Sequence, residues 1–294
     1  MKFYADHAFR MGSSHQVCED YSISVQFDFF NIPVSCTVVA DGCSSAPHTD
    51  MGARILAWSA LNTVKNQFGV IYDGYQEAKS IKDSKVYEIL GRSIIDGATV
   101  VCQSMGNLPK DSLSATLMLT IVCEQFTVVF VYGDGSVLFK YKDTNLYELL
   151  TVDFESGAPY YLSYWNDYMH EQNYLEKFPG KKTLTSLSWD DKDSSETKAD
   201  LDIKKILYFY QPTKNLELVN VFSDGLNTFK KRVDGIDQPI ENFKSMVEEL
   251  TNYKNPNGQF VQRRLTRLSK DYIKQGIHHY DDLSTAAVLI RDDK

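Results

Sequence analysis

From Tyr21 to Phe29 the chain alternates, with Ile23, Val25, Phe27 and Phe29 on one side and Ser22, Ser24, Gln26 and Asp28 on the other. A period of two is that of a strand with one buried face. Asn31-Ile32-Pro33 carries turn chemistry, and the apolar run Val34 to Ala40 answers the first strand, so an antiparallel hairpin is expected. That pairing brings Cys18-Glu19-Asp20 at its entrance up to Asp41-Gly42 at its exit.

After Thr49 the period lengthens. With Thr49 as N-cap and Asp50 in the first turn, Met51, Ile55, Trp58, Leu61, Asn62 and Val64 recur at helical spacing, and the stripe is expected to lie on a sheet. A second helix is expected over Ser84 to Ser104, from Val86, Ile89, Leu90, Ile94, Ala98 and Val101, with Gly91 and Gly97 interrupting it. Beyond a turn at Asn107 to Ser112, the runs Ala115 to Cys123, Phe126 to Tyr132 and Val137 to Tyr141 have short links and are expected to form a meander. The next stretch, about 146–215, is less regular. It is dense in aromatics at Tyr160-Tyr161-Leu162-Ser163-Tyr164-Trp165 and polar over Asp190 to Asp202, and is expected to hold an inserted flap and a mobile loop. Leu218 to Phe222 resumes the strand pattern, Ile240 to Leu250 and Gly258 to Tyr272 are helical in period, and Ser284 to Ile290 closes the sheet. The 294 residues are expected as a single domain, residues 1–294.

An apolar fraction of 43% supports a sizeable core. The net charge of -8, without a block of Lys or Arg, argues against nucleic acid as a partner. Five cysteines with no CxxC fit free thiols in a reducing compartment. The first residues lack the apolar core of a signal peptide, and no window approaches roughly 18 consecutive apolar residues, so a cytoplasmic protein without a membrane anchor is expected.

Chemistry gathers where strands end. Val39-Ala40-Asp41-Gly42, Gly133-Asp134-Gly135, Ser223-Asp224-Gly225 and Asp281-Asp282 each put a carboxylate at the tip of a hydrophobic run. Any one Asp-Gly is first of all a turn dipeptide. Four together suit hard divalent cations, which prefer oxygen ligands, and glycine lets a backbone carbonyl approach as well.

The series Glu19-Asp20, Asp41-Gly42, Ser114-Ala115-Thr116, Gly133-Asp134-Gly135, Ser223-Asp224-Gly225 and Asp281-Asp282-Leu283-Ser284 resembles the motifs of the metal-dependent protein phosphatases of the 2C family. Gly12-Ser13-Ser14-His15, Asp41-Gly42-Cys43-Ser44-Ser45, Ala158-Pro159-Tyr160-Tyr161-Leu162-Ser163-Tyr164 and Arg263-Arg264-Leu265 are most similar to its bacterial and phage-type branch. The resemblance implies an α+β fold, a four-layer α-β-β-α sandwich of two antiparallel sheets flanked by helices. It also implies two Mn²⁺ or Mg²⁺ ions in a cleft at one end, with a weaker third. Asp41 would bridge the metals and Gly42 would offer its carbonyl. Asp224 and Asp281 would complete one metal, either Glu19 or Asp20 would serve the other, and Asp134 with Asp224 matches the third. A water bridging the metals would attack phosphorus in line, so no side-chain nucleophile is required.

Two positions depart from the better-known members. His15 replaces a phosphate-gripping arginine, a donor without Arg's bidentate fork, and is the expected phosphate contact. Cys43 stands where relatives carry a histidine proposed as proton donor; His48 is the nearest replacement by sequence. No basic cradle surrounds any cysteine, which argues against a cysteine nucleophile. His278 and His279 are expected as a loop feature. Asp191 to Ser195 resembles the start of a calcium loop but lacks its glycine, which makes a solvated linker the simpler reading. The aromatic run Tyr160 to Trp165 is expected chiefly as packing.

The leading expectation is a monomeric serine/threonine phosphatase acting on a phosphorylated protein, with a serine/threonine kinase as its counterpart. The alternative is a catalytically weak module that binds a kinase or phosphoprotein, with a hydrolase of small phosphoesters as a third reading.

Overall fold

The computed structural model describes residues 1–78, 84–106 and 108–292. The first half runs β1 (Lys2–Arg10), β2 (Tyr21–Phe29), β3 (Ile32–Ala40), α1 (Thr49–Ala78), α2 (Ser84–Ser104), β4 (Leu117–Val122), β5 (Thr127–Tyr132), β6 (Gly135–Tyr141) and β7 (Tyr147–Phe154). Then come α3 (Tyr168–Lys177), β8 (Lys181–Trp189), β9 (Ser194–Asp202), β10 (Leu207–Gln211) and β11 (Leu216–Phe222). The chain closes with β12 (Phe229–Val233), β13 (Ile236–Pro239), α4 (Phe243–Thr251), α5 (Phe260–Lys274), β14 (Ile277–His279) and β15 (Leu283–Arg291).

The strands form two large antiparallel sheets, ordered β1-β15-β11-β6-β7-β8-β9 and β10-β5-β4-β3-β2, and a small one, β13-β12-β14. Three apolar clusters define the layers. Val39, Met118, Val131, Phe139, Val221 and Val288 pack where the sheets face each other. Ile23, Val38 and Phe130 of the smaller sheet pack with Leu56, Phe68 and Ile94 of α1 and α2. On the far side Leu138, Leu218 and Leu289 of the larger sheet pack with Val247, Val261 and Leu265 of α4 and α5. Central strands are buried on both faces, so β4 and β5 read as continuous apolar runs. This is the expected α-β-β-α sandwich.

The hairpin forms in the register that pairs Tyr21 with Ala40. Its turn, however, is Phe30-Asn31, both with positive φ, as a two-residue turn requires. Pro33 already lies on β3, beyond the reach of β4, whose pairing begins at Ser35, so its missing N–H leaves no gap in that ladder. The helical stripes shift slightly. Trp58, Ile89 and Val101 are exposed, and Leu56, Ala60, Ile95 and Cys102 point inward instead. Gly91 has a packing reason, because a Cβ there would come within 2.6 Å of the Trp165 ring. Thr49 does not cap its helix. Its hydroxyl faces the Cys43 carbonyl (3.1 Å) and a Glu19 carboxylate oxygen (3.3 Å). Asn107, in the expected turn, lies outside the described residues.

The expected meander breaks after its second strand. β4 pairs with β5, but β6 leaves for the other sheet, between β11 and β7. The crossing is made at Gly133-Asp134-Gly135, where both glycines have positive φ. The stretch expected as irregular contains regular strands: β7, β8 and β9 extend the larger sheet. The polar segment expected as a mobile loop is β9, hydrogen-bonded to β8 along its length and exposed as an edge strand. Polar residues suit such an edge because it must not recruit another strand. Asp190 closes that hairpin by accepting from the N–H groups of Lys192 (2.7 Å) and Asp193 (2.8 Å). The flap is residues 155–180, between β7 and β8. His278 and His279 lie on β14 rather than in a loop, with the His279 ring against Phe229. The amphipathic β1 was not expected as a strand, yet it borders β15 over its whole length.

Candidate active site

Every acidic tip arrives at the same end of the sandwich, and strand register is the reason. With Tyr21 opposite Ala40, Asp20 and Asp41 flank that pair at the end of the smaller sheet. In the larger sheet Phe222 lies between Ser136 and Thr285, so Asp134, Asp224 and Asp281-Asp282 emerge from three adjacent strands. Asp41, Asp134, Asp224, Asp281, Gly42 and His15 line one cleft of about 440 Å³, closed on one side by the flap residues Pro159, Tyr161, Tyr164 and Phe178. Glu19 and Asp20 are not among its lining residues. A larger groove of about 920 Å³, between the β8–β9 hairpin and α4, has none of these residues.

Asp20 is only 1% exposed. One of its oxygens accepts from Ser223 Oγ at 2.6 Å; the other, Oδ1, is buried without a donor. The carboxyls of Asp20 and Asp41 nevertheless interact directly. Two acceptor groups in contact with no donor between them need a shared proton or a cation. Burial, with the charges of Asp224 and Asp282 adding to it, pushes Asp20 up to about 7. Burial first, then Asp20, Asp224 and Asp134, raises Asp41 well above the usual carboxylate range. Asp134 and Asp224 are raised for the same reasons. Asp153 on β7, which went unnoticed in the sequence, belongs to this field because it sits one step beyond the Val152–Gly135 pair, beside Asp134.

Backbone geometry sets Gly42 in place. Asp41 carbonyl accepts from Thr116 N (2.8 Å) and Cys43 N donates to Ser114 carbonyl (2.9 Å), so the bridge to Ala115 leaves the Gly42 carbonyl out of the ladder. A Cβ at Gly42 would stand 2.8 Å from the Thr49 carbonyl and 3.0 Å from the Glu19 carbonyl.

Asp281 and Asp282 divide their tasks. Asp281 is 48% exposed at the rim, 3.5 Å from His15 Nε2. Asp282 is only 3% exposed, not the solvated neighbour that simple alternation allows. It accepts from Gly12 N at 2.7 Å and Glu19 N at 2.6 Å, clamping both ends of the loop that carries His15. No motif within that loop announces this role. The nearest signal was Asp282's place beside Asp281.

His15 is in the cleft, but its Nδ1 lies 3.3 Å from Asp282 and 3.8 Å from Glu19, and its Nε2 faces Asp281. Glu19 is raised by burial, an effect that Thr49 and His15 offset in part. Cys43 touches Ser45 Oγ at 3.1 Å and the Tyr161 hydroxyl. His48 is exposed, has φ of 59°, and does not line the cleft. The aromatic run packs chiefly with itself and the core. Trp165 lies against Tyr87 and Tyr132, and Tyr160 and Tyr164 against Tyr174, while Tyr161 and Tyr164 also present an edge to the cleft.

Among the described residues, no three His, Cys, Asp or Glu side chains are gathered into a ready metal cluster. Asp282 is committed to backbone donors, Asp281 to His15 and Glu19 to Thr49. The donor chemistry still fits a hard cation: the crowded, pKa-raised carboxylates and the orphaned Asp20 oxygen are all oxygen ligands short of positive charge.

The two-sheet sandwich with an acidic cleft at one end is that of a phosphatase class, and a family model described as Protein phosphatase 2C matches residues 12–269. The chain belongs to that family and is an enzyme of the phosphoprotein phosphatase class. No curated protein matches it by sequence. Among solved structures, it is similar to a bacterial serine phosphatase at 12% identity and a TM-score of 0.51, covering 99% of this chain and 98% of that one. It is also similar to the serine/threonine phosphatase Stp1 from Staphylococcus aureus at 11% identity and a TM-score of 0.51, covering 99% and 96%. The S. agalactiae serine/threonine phosphatase is similar at 14% identity and a TM-score of 0.51, covering 99% and 100%. At such identities the likeness is one of fold. Among the described residues no helix is long and apolar enough to cross a membrane.

Proposed function

We propose that this chain hydrolyses phosphoserine and phosphothreonine in protein substrates with the help of two Mn²⁺ or Mg²⁺ ions. The observation that carries the reading is the buried contact between Asp20 and Asp41, with an acceptor oxygen left orphaned beside Asp134 and Asp224. Asp41 would bridge the ions, Gly42 would add its free carbonyl, and Asp224 and Asp281 would complete one site. Of the acidic pair, Asp20 is favoured for the other because it touches Asp41, whereas Glu19 is held by Thr49. Asp134 with Asp224 would hold a weaker third ion.

Divalent ions held here would acidify a water and neutralise charge on the phosphoryl oxygens. The chain does the rest by positioning. Ser223 fixes Asp20 while accepting from Ser284 N, so strands β11 and β15 and the start of β2 move as one. Asp282 holds the His15 loop against the cleft, which keeps His15 within reach of a phosphate. The flap covers one side and limits water. A single domain, a monomer, a cytoplasmic setting for its free thiols and a kinase counterpart complete the proposal.

The deciding assay is Mn²⁺-dependent phosphate release from a phosphothreonine peptide, compared with Asp41→Asn and Asp224→Asn. Each variant is expected to lose at least about 100-fold in kcat/KM, on the order of 3 kcal/mol of transition-state stabilisation. A folded wild type that binds the peptide but releases no phosphate with any divalent ion would favour the binding-module alternative.

A further inference from the structure

A phosphoryl dianion entering this cleft meets Asp41, Asp134, Asp224, Asp281 and Asp282, and among the described residues lining it His15 and Lys177 are the two that can answer with positive charge. His15 is already surrounded by Glu19, Asp281 and Asp282. Lys177 is not. For Lys177, among the described residues, no carboxylate lies within 4 Å. Its ammonium lies 5.1 Å from the Phe178 ring. That ring is partly buried against the core, so the contact steers the ammonium without neutralising it.

Lys177 also stands on a braced element. It ends α3, whose first turn is capped by Asp167 accepting from His170 N at 3.1 Å. Tyr174, one turn earlier, donates to the Ala158 carbonyl at 2.7 Å and packs on Tyr164 and Phe178. The end of α3 therefore brings Lys177 to the cleft lining beside Phe178. We propose that Lys177 is a phosphate-binding residue, contacting a phosphoryl oxygen of the substrate from the flap side. The inference rests on the phosphatase reading and adds to it a second cationic side chain, on the flap, besides His15.

The test compares wild type with Lys177→Ala, Lys177→Arg and Lys177→Glu in Mn²⁺, using p-nitrophenyl phosphate, a phosphothreonine peptide, and inorganic phosphate as inhibitor. A partly exposed charge-assisted contact predicts that Lys177→Ala raises both KM values and the phosphate inhibition constant by about 5- to 20-fold, with kcat within about twofold. Arg should restore most of the affinity, and Glu should be worse than Ala. Unchanged KM and inhibition constants would overturn the proposal. So would an effect confined to the peptide, because the lysine would then read peptide rather than phosphate. Calorimetric binding of inorganic phosphate to the Mn²⁺-loaded protein reads the same contact without turnover. An inactive wild type would thus sink the phosphatase reading, while the calorimetric comparison of wild type with Lys177→Ala would still decide for or against Lys177.

Discussion

Replacing Asp282 by alanine should cost more stability than its position at the end of a surface cleft suggests. The carboxylate is 3% exposed and accepts two backbone N–H groups at 2.7 and 2.6 Å, from residues separated from it by most of the chain. A hydrogen bond to a charged group contributes about 1.5–3 kcal/mol, and leaving a buried donor unpaired costs about 1–3 kcal/mol. The Gly12 donor is buried and the Glu19 donor only partly so, which places the expected loss for Asp282→Ala at about 3–5 kcal/mol. Asp282→Asn keeps one acceptor but turns an NH₂ toward the other N–H, and should lose about half as much. The assay is urea unfolding with chelator present, so that bound cations do not contribute. A lowered midpoint at unchanged slope is expected. An unfolding free energy for Asp282→Ala within about 0.5 kcal/mol of wild type would refute the clamp. Because the clamp holds the loop bearing His15, the folded fraction of Asp282→Asn should also show a raised KM.

Gly42→Ala should lose both stability, by about 1–3 kcal/mol from overpacking against the Thr49 and Glu19 carbonyls, and Mn²⁺ affinity; equilibrium unfolding and metal titration check each separately. The metal-free protein should weaken as pH rises. Asp20's folded pKa, about 7, lies above its ordinary value, so the folded state holds the proton more tightly. That contribution is present at low pH and is lost between roughly pH 4 and 7. Asp20→Asn should flatten the slope in chelator, and a slope identical to wild type would count against the buried contact.

Four of the carboxylates that line the cleft were legible in the sequence because each sits where an apolar run stops, a local signal that needs no knowledge of neighbours. Asp41, Asp134, Asp224 and Asp281 were found that way, and all line the cleft. Residues whose roles are set by distant partners were not legible. Nothing near Asp282 shows that its acceptors serve Gly12 and Glu19, and nothing near Asp153 shows that β7 runs beside β6. His15 was legible as a cleft residue, but the three acids around it come from its own loop and from β15's approach.

The same division holds for the fold. Periodicity determined the β2–β3 hairpin, both long helices and the terminal strand, since a period of two or 3.6 is written along a single segment. It could not determine that β6 changes sheets after β5, because pairing partners are chosen by which buried faces fit together, and both candidates are equally apolar. It also missed β9, a polar edge strand held by backbone hydrogen bonds rather than burial. The sequence by itself thus determined the elements and the carboxylates at their tips. The tertiary structure alone decided their convergence, the clamp of Asp282 and the placement of Lys177 at the cleft, because these depend on register and on contacts between segments far apart in the chain.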